Sequence, residues 1–65
     1  MKYAITNPKN DNEFLAYDFE SERKGILYNL SYFYFTDKND PQVLLWDSIE
    51  EIDYAYMGKI VEQEG

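Results

Sequence analysis

Histidine and cysteine are both absent from this 65-residue chain. Their absence excludes nucleophilic catalysis by a Ser–His or Cys–His pair. It also excludes a disulfide staple and the usual ligands of a structural zinc. The three glycines, Gly25, Gly58 and Gly65, are too scattered to build a phosphate-cradling loop. No uninterrupted apolar run exceeds about four residues, against the ~20 needed to span a bilayer. The opening residues, Met1 to Pro8, lack the apolar centre of a secretory signal. A cytoplasmic protein with no membrane contact is expected. Cations are also scarce: six Lys and Arg stand against thirteen Asp and Glu, for a formal net charge of −7. Phosphates would be repelled, so nucleic acid is excluded as a direct partner.

Carboxylates are plentiful, but a glycosidase-type pair needs a deep cleft between two acids. A domain of this length, which buries only about 60% of its unfolded surface, has little room for one. No enzyme activity and no cofactor are therefore expected. Asp37-Lys38-Asn39-Asp40 superficially matches the start of a calcium loop. However, Gln42 stands where that loop needs glycine, and its twelfth position, which needs Glu, is Ser48. These residues read as a turn.

What the chain does have is aromatic bulk: seven Tyr, four Phe and one Trp. Each buried ring removes roughly 150–250 Å² from water. That is enough to argue for a folded single domain over 1–65 rather than a disordered acidic segment.

Periodicity then orders the elements. Lys2 to Thr6 alternates, with Tyr3 and Ile5 on one face, and predicts a short strand. Asn7 to Asn12 is dense in turn formers. Glu13 to Glu20 alternates again, so the two strands form an antiparallel hairpin. Ser21 to Gly25 is a break. Ile26 to Thr36 predicts a third strand, apolar or aromatic on both faces. It is either central and covered on both sides, or has one face awaiting a partner. Asp37 to Pro41 is a turn, and Gln42 to Trp46 a short fourth strand.

Ser48 and Glu51 have the spacing of a capping box, and Asp47, Glu50, Glu51 and Asp53 crowd the turn where a helix dipole favours negative charge. A helix is expected from Ser48 to near Glu62. Ile49, Ile52, Tyr56 and Ile60 would form its core stripe. Tyr54, Met57 and Val61 would form a second stripe, roughly 100° around the axis. Gly58, on the far side of that helix, reads either as a weak last turn or as a place where another backbone comes close. The expected architecture is α+β: an antiparallel sheet of three to four strands with one C-terminal helix packed on a face, in the order β-β-β-β-α.

Tyr34-Phe35-Thr36-Asp37, followed by Leu44-Leu45-Trp46-Asp47-Ser48-Ile49-Glu50-Glu51, resembles a layout of small phage and prophage proteins of Gram-positive bacteria. In those proteins a strand ends in Phe-Thr-Asp, a short apolar strand follows, and Ser-x-Glu-Glu opens a C-terminal helix. Lys2-Tyr3-Ala4-Ile5 and the polar turn after it fit the same layout. Some small acidic phage proteins inhibit host defence nucleases, among them anti-CRISPR proteins and DNA-mimic inhibitors. The resemblance therefore implies an inhibitor, and it carries over no binding residue.

Two functional expectations follow. In the first, Asp47, Glu50, Glu51 and Asp53 mimic phosphates and block a basic nucleic-acid-binding site on a host protein, with Tyr54, Met57 and Val61 as apolar neighbours. In the second, the Tyr54–Met57–Val61 stripe joins two copies into a homodimer, and the acidity serves solubility.

Overall fold

A computed structural model describes residues 1–26 and 31–63. Among them, four strands form one antiparallel sheet in the order β3-β2-β1-β4. The strands are β1 (Lys2–Asn7), β2 (Asn10–Tyr17), β3 (Phe33–Thr36) and β4 (Lys59–Gln63). One short helix, α1 (Phe19–Lys24), lies between β2 and β3.

The expected first hairpin forms, but with a tighter turn than Asn7–Asn12 and with its second strand running Asn10–Tyr17 rather than Glu13–Glu20. Pro8 and Lys9 turn the chain, Thr6 faces Phe14 and Asn7 faces Asn10, with an irregularity between Thr6 and Asn7 that marks a bulge. Asn7 Oδ1 accepts from the Lys9 N–H at 3.0 Å, and Asn10 Oδ1 accepts from the Asn12 N–H at 3.0 Å. These are the Asx contacts that make such residues turn formers.

β1 is central, and both of its faces are covered. Ala4, Ile5 and Thr6 are buried, as are Phe14, Leu15 and Ala16 of β2. Ile5 and Leu15 are the largest fully buried apolar side chains. The Thr6 hydroxyl is reconciled with its burial by donating to the Lys59 carbonyl, at 3.4 Å.

The C-terminal third departs from the expected helix. Ser48 makes no side-chain cap bond; it precedes a single 3-10 turn at Ile49–Glu51, and a second 3-10 turn occupies Ala55–Met57. The chain then runs as β4 beside β1, pairing Lys2 with Gln63, Ala4 with Val61 and Thr6 with Lys59. The intended core stripe is consequently not a core. Ile49 is 52% exposed, Tyr56 83% and Ile60 37%, and only Ile52 of the four is half-buried. The cause is tertiary. The β1 edge that β2 leaves free carries backbone donors and acceptors that must be paired once buried. A stretch containing β-branched Ile60 and Val61 is well suited to pair with it.

Gly58 makes this pairing possible. A Cβ there would lie 2.1 Å from the Thr6 carbonyl oxygen and 2.8 Å from Ile5 Cγ2. Of the two readings of this glycine, close approach of another backbone is the one realised.

The remaining expectations divide. Of the residues expected to be a break, 21–24 belong to α1 and Gly25 caps it. Asp18 caps it, accepting from the Ser21 N–H at 3.0 Å, and Gly25 closes it in the left-handed conformation at φ 72°. Of the expected strand 26–36, residues 27–30 lie outside the described residues, Ile26 follows the α1 cap, and β3 is confined to Phe33–Thr36. Gln42 to Trp46 is not a full strand but a tie between two strands. Leu44 N–H donates to the Leu15 carbonyl and Tyr17 N–H to the Gln42 carbonyl, both at 3.1 Å. Trp46 and Tyr3 exchange bonds of 2.9 and 2.8 Å. The sheet-plus-helix character stands, but the helix is a short one inside the chain, and the C-terminal element is a strand.

Candidate functional site

The acidic residues singled out by sequence fall in the segment joining Trp46 to the second 3-10 turn. Asp47, Glu50, Glu51 and Asp53 are all exposed. Lys2 of β1 forms an ion pair with Asp47, which holds that carboxyl below its ordinary range. Both partners are substantially exposed, so the pair fixes position more than it adds stability. Among the described residues, Glu50, Glu51 and Asp53 take part in no ion pair. Their crowding is not explained by a long helix, because none forms here.

The apolar partners expected beside these acids are rearranged. Tyr54 is half-buried, with its ring 4.9 Å from Phe33 and 6.5 Å from Trp46. Met57 is half-buried in the second 3-10 turn, which packs against β1 and β4. Val61 lies in β4 opposite Ala4. Tyr54, Met57 and Val61 thus belong to three different local structures. The helical seam on which a homodimer was expected does not form.

Other residues take the exposed apolar role. Leu45 is 53% exposed, Ile49 52% and Tyr56 83%. They alternate along the chain with the carboxylates, so that residues 45–56 present acid and hydrocarbon together. Sequence reasoning assigned Ile49 and Tyr56 to the core because their spacing suited a helix. A cue against that assignment was present in Tyr54, Tyr56 and Gly58, all weaker helix formers than Ala or Leu.

The aromatic residues also assemble in an order that periodicity does not reveal. Tyr17 touches three rings: Phe19 at 5.0 Å, Tyr32 at 5.8 Å and Phe33 at 4.8 Å between centroids. Phe33 continues to Tyr54, and Tyr54 to Trp46. The Tyr17 hydroxyl donates to the Glu22 carboxylate of α1, and this bond, with desolvation behind it, pushes the phenol up to about 12. A depression of about 330 Å³ opens along this chain of rings, lined by Tyr17, Phe19, Glu22, Phe33, Leu44 and Tyr54.

No protein-family model matches the chain, and neither a curated protein nor a solved structure proves similar to it. Function must therefore be read from surface chemistry.

A second polar network is structural. Tyr34 donates to Asp40 Oδ2 at 3.0 Å, Gln42 Nε2 donates to the Tyr34 oxygen at 2.8 Å, and the Gln42 N–H donates to Asp40 Oδ1 at 2.8 Å. The Gln42 N–H is the main reason the Asp40 carboxyl lies below its ordinary range, while burial raises the Tyr34 phenol. Asp37 similarly accepts from the Asn39 N–H at 2.8 Å. The carboxylates of the 37–40 stretch are thus occupied in shaping the turn. Among the described residues no cluster of three or more acids is placed to hold a metal ion, and no helix is long and apolar enough to cross a membrane.

Proposed function

We propose that this protein is a non-enzymatic interaction protein of the cytoplasm, an inhibitor of the phage or mobile-element kind. Its acidic surface would occupy a basic, nucleic-acid-binding site on a host protein. The observation that carries the reading is the exposed segment 45–56. There, Glu50, Glu51 and Asp53 stand without ion pairs among the described residues, beside outward-facing Leu45, Ile49 and Tyr56. A surface serving only solubility gains nothing from three large apolar side chains set among its charges. An interface needs both, apolar area for affinity and charge for steering and specificity.

The test is competition. A partner captured from a bacterial lysate should bind double-stranded DNA, and DNA should displace the protein from it. Reversal of Glu50 and Glu51 to Lys should slow association and weaken binding. The same reversal at Glu62 and Glu64 should have much less effect. Equal binding by both double variants, or a partner indifferent to DNA, would remove the inhibitor reading.

A further inference from the structure

The depression along the aromatic chain is a second feature that the acidic segment does not use, and its chemistry is specific. Four of its six lining residues are aromatic, and the one charged residue is Glu22. The rings meet at interplanar angles of 60° to 71°, so no face is taken up by parallel stacking. Phe19 is 52% exposed although it is aromatic and begins a helix. Glu22 is held beside the rings by the Tyr17 hydroxyl, which bonds its Oε2. Its Oε1 accepts no hydrogen bond among the described residues. The cations nearest in sequence are directed elsewhere: Arg23 and Lys24 pair with Glu20, at 2.6 and 3.5 Å.

We propose that this depression is a binding site for a guanidinium group, the side chain of an arginine presented by a basic partner. Aromatic faces attract a cation through their quadrupole. A planar, weakly hydrated guanidinium stacks on a ring while its edge donates to a carboxylate, which a compact ammonium cannot do in the same way. The charge complementarity extends to the whole molecule, whose net charge of −7 draws any cation toward it. Tyr54 and Leu44, which line the site, adjoin Asp53 and Leu45 of the acidic segment. The arginine would therefore seat next to the proposed interface. The inference rests on the inhibitor reading only for the source of that arginine; the site itself can be probed alone.

The full-length protein is titrated with N-acetyl-arginine methylamide, following aromatic ¹H–¹³C resonances, with the citrulline and lysine derivatives as neutral and ammonium comparisons. Saturable shifts of Tyr17, Phe19, Phe33 and Tyr54 are expected with arginine and none with citrulline. Phe19→Leu and Glu22→Gln, both at exposed positions, should each weaken binding by about two- to fivefold while backbone spectra stay native. Shifts that do not saturate, a citrulline response equal to that of arginine, or unchanged binding in both variants would overturn the site. Lysine binding as tight as arginine would overturn the guanidinium assignment. Failure of the inhibitor reading would look different: Glu50 and Glu51 reversals would leave partner binding intact, whatever happens in the arginine titration.

Discussion

A methyl group added at Gly58 would meet the Thr6 carbonyl oxygen at 2.1 Å, and backbone cannot move aside as a side chain can. Gly25 is the opposite case, with nothing within 4 Å of its missing Cβ but a φ of +72° that favours glycine. Gly58→Ala should cost about 1–3 kcal/mol through overpacking. Gly25→Ala should cost about 1 kcal/mol through its backbone alone. Urea denaturation of the two variants checks this, and a neutral Gly58→Ala would mean that β4 does not approach β1 as closely as described. Tyr17 gives a second residue-scale prediction. Its folded phenol, at about 12, lies above the unfolded value of 10.0, so the neutral form is the one stabilised. That contribution is fully present below pH 10 and is lost as pH rises through about 12. A phenolate absorbance titration should show a tyrosine ionising at about 12 that disappears in Tyr17→Phe, while the raised Tyr34 remains. Glu22→Gln should move the Tyr17 ionisation down, because the bond to the carboxylate is the largest cause of the shift.

Among the elements, the two that sequence reasoning located best are those whose hydrogen bonds are local. The β1–β2 hairpin was legible because alternation and the Asn-rich turn agree, and the register then needs few residues to close. The aromatic strand was placed, but over a longer span than the Phe33–Thr36 of β3. The helix at 19–24 was missed because Phe19 and Glu20 continue the alternation of the strand before it and residues 21–24 read as a break. Its cap signals were visible, but Asp18 reads as part of the alternating strand and Gly25 as part of a break. The misreading of residues 48–62 has a different origin. Ile49, Ile52, Tyr56 and Ile60 do have helical spacing, yet β1 needs a partner on its second edge, and nothing local in the sequence encodes that need. The acidic positions of the candidate site were legible because exposure follows from charge. Its apolar members, Leu45, Ile49 and Tyr56, were not, because their role depends on where the core ends. Core truncation separates the two assignments. Leu15→Ala should cost about 2–5 kcal/mol, as for a buried leucine. Ile49→Ala should stay within about 0.5 kcal/mol. A large loss at Ile49, measured by thermal or urea unfolding, would restore the helical core stripe.

At the scale of the whole molecule, charge governs both stability and association. Asp18, Asp40 and Asp47 have folded carboxyls below their ordinary value, held there by the Ser21, Gln42 and Lys2 donors respectively. Depressed carboxyls contribute stability that is present above about 3.8 and is lost as pH falls through their lower folded values. Acidification also relieves self-repulsion in a molecule of net charge −7, which acts in the opposite direction. The melting temperature should therefore hold or rise slightly from pH 7 to 5 and fall below about pH 4. Replacing the three with Asn should flatten the acid limb, and an unchanged limb would assign acid unfolding to other carboxylates. Association has its own signature. Binding to a basic partner should slow as salt rises, with the dissociation rate changing much less. A salt-independent association rate, measured in a flow cell, would mean that the long-range field contributes nothing to the encounter.

The sheet order places β1 between β2 and β4, so β1 is completed by a strand far along the chain from it, with Lys2 opposite Gln63. On the ribosome this imposes a wait. The β1–β2 hairpin can form soon after it emerges, but one edge of β1 stays bare until residues 59–63 leave the exit tunnel. At about 5–20 residues per second, that interval lasts several seconds. Throughout it, Ala4, Ile5 and Thr6 have no cover on that edge, and the nascent chain is at its most vulnerable to misassociation with its neighbours on a polysome. The excess of carboxylates gives neighbouring nascent chains like charge during that interval, which opposes their contact before β4 arrives.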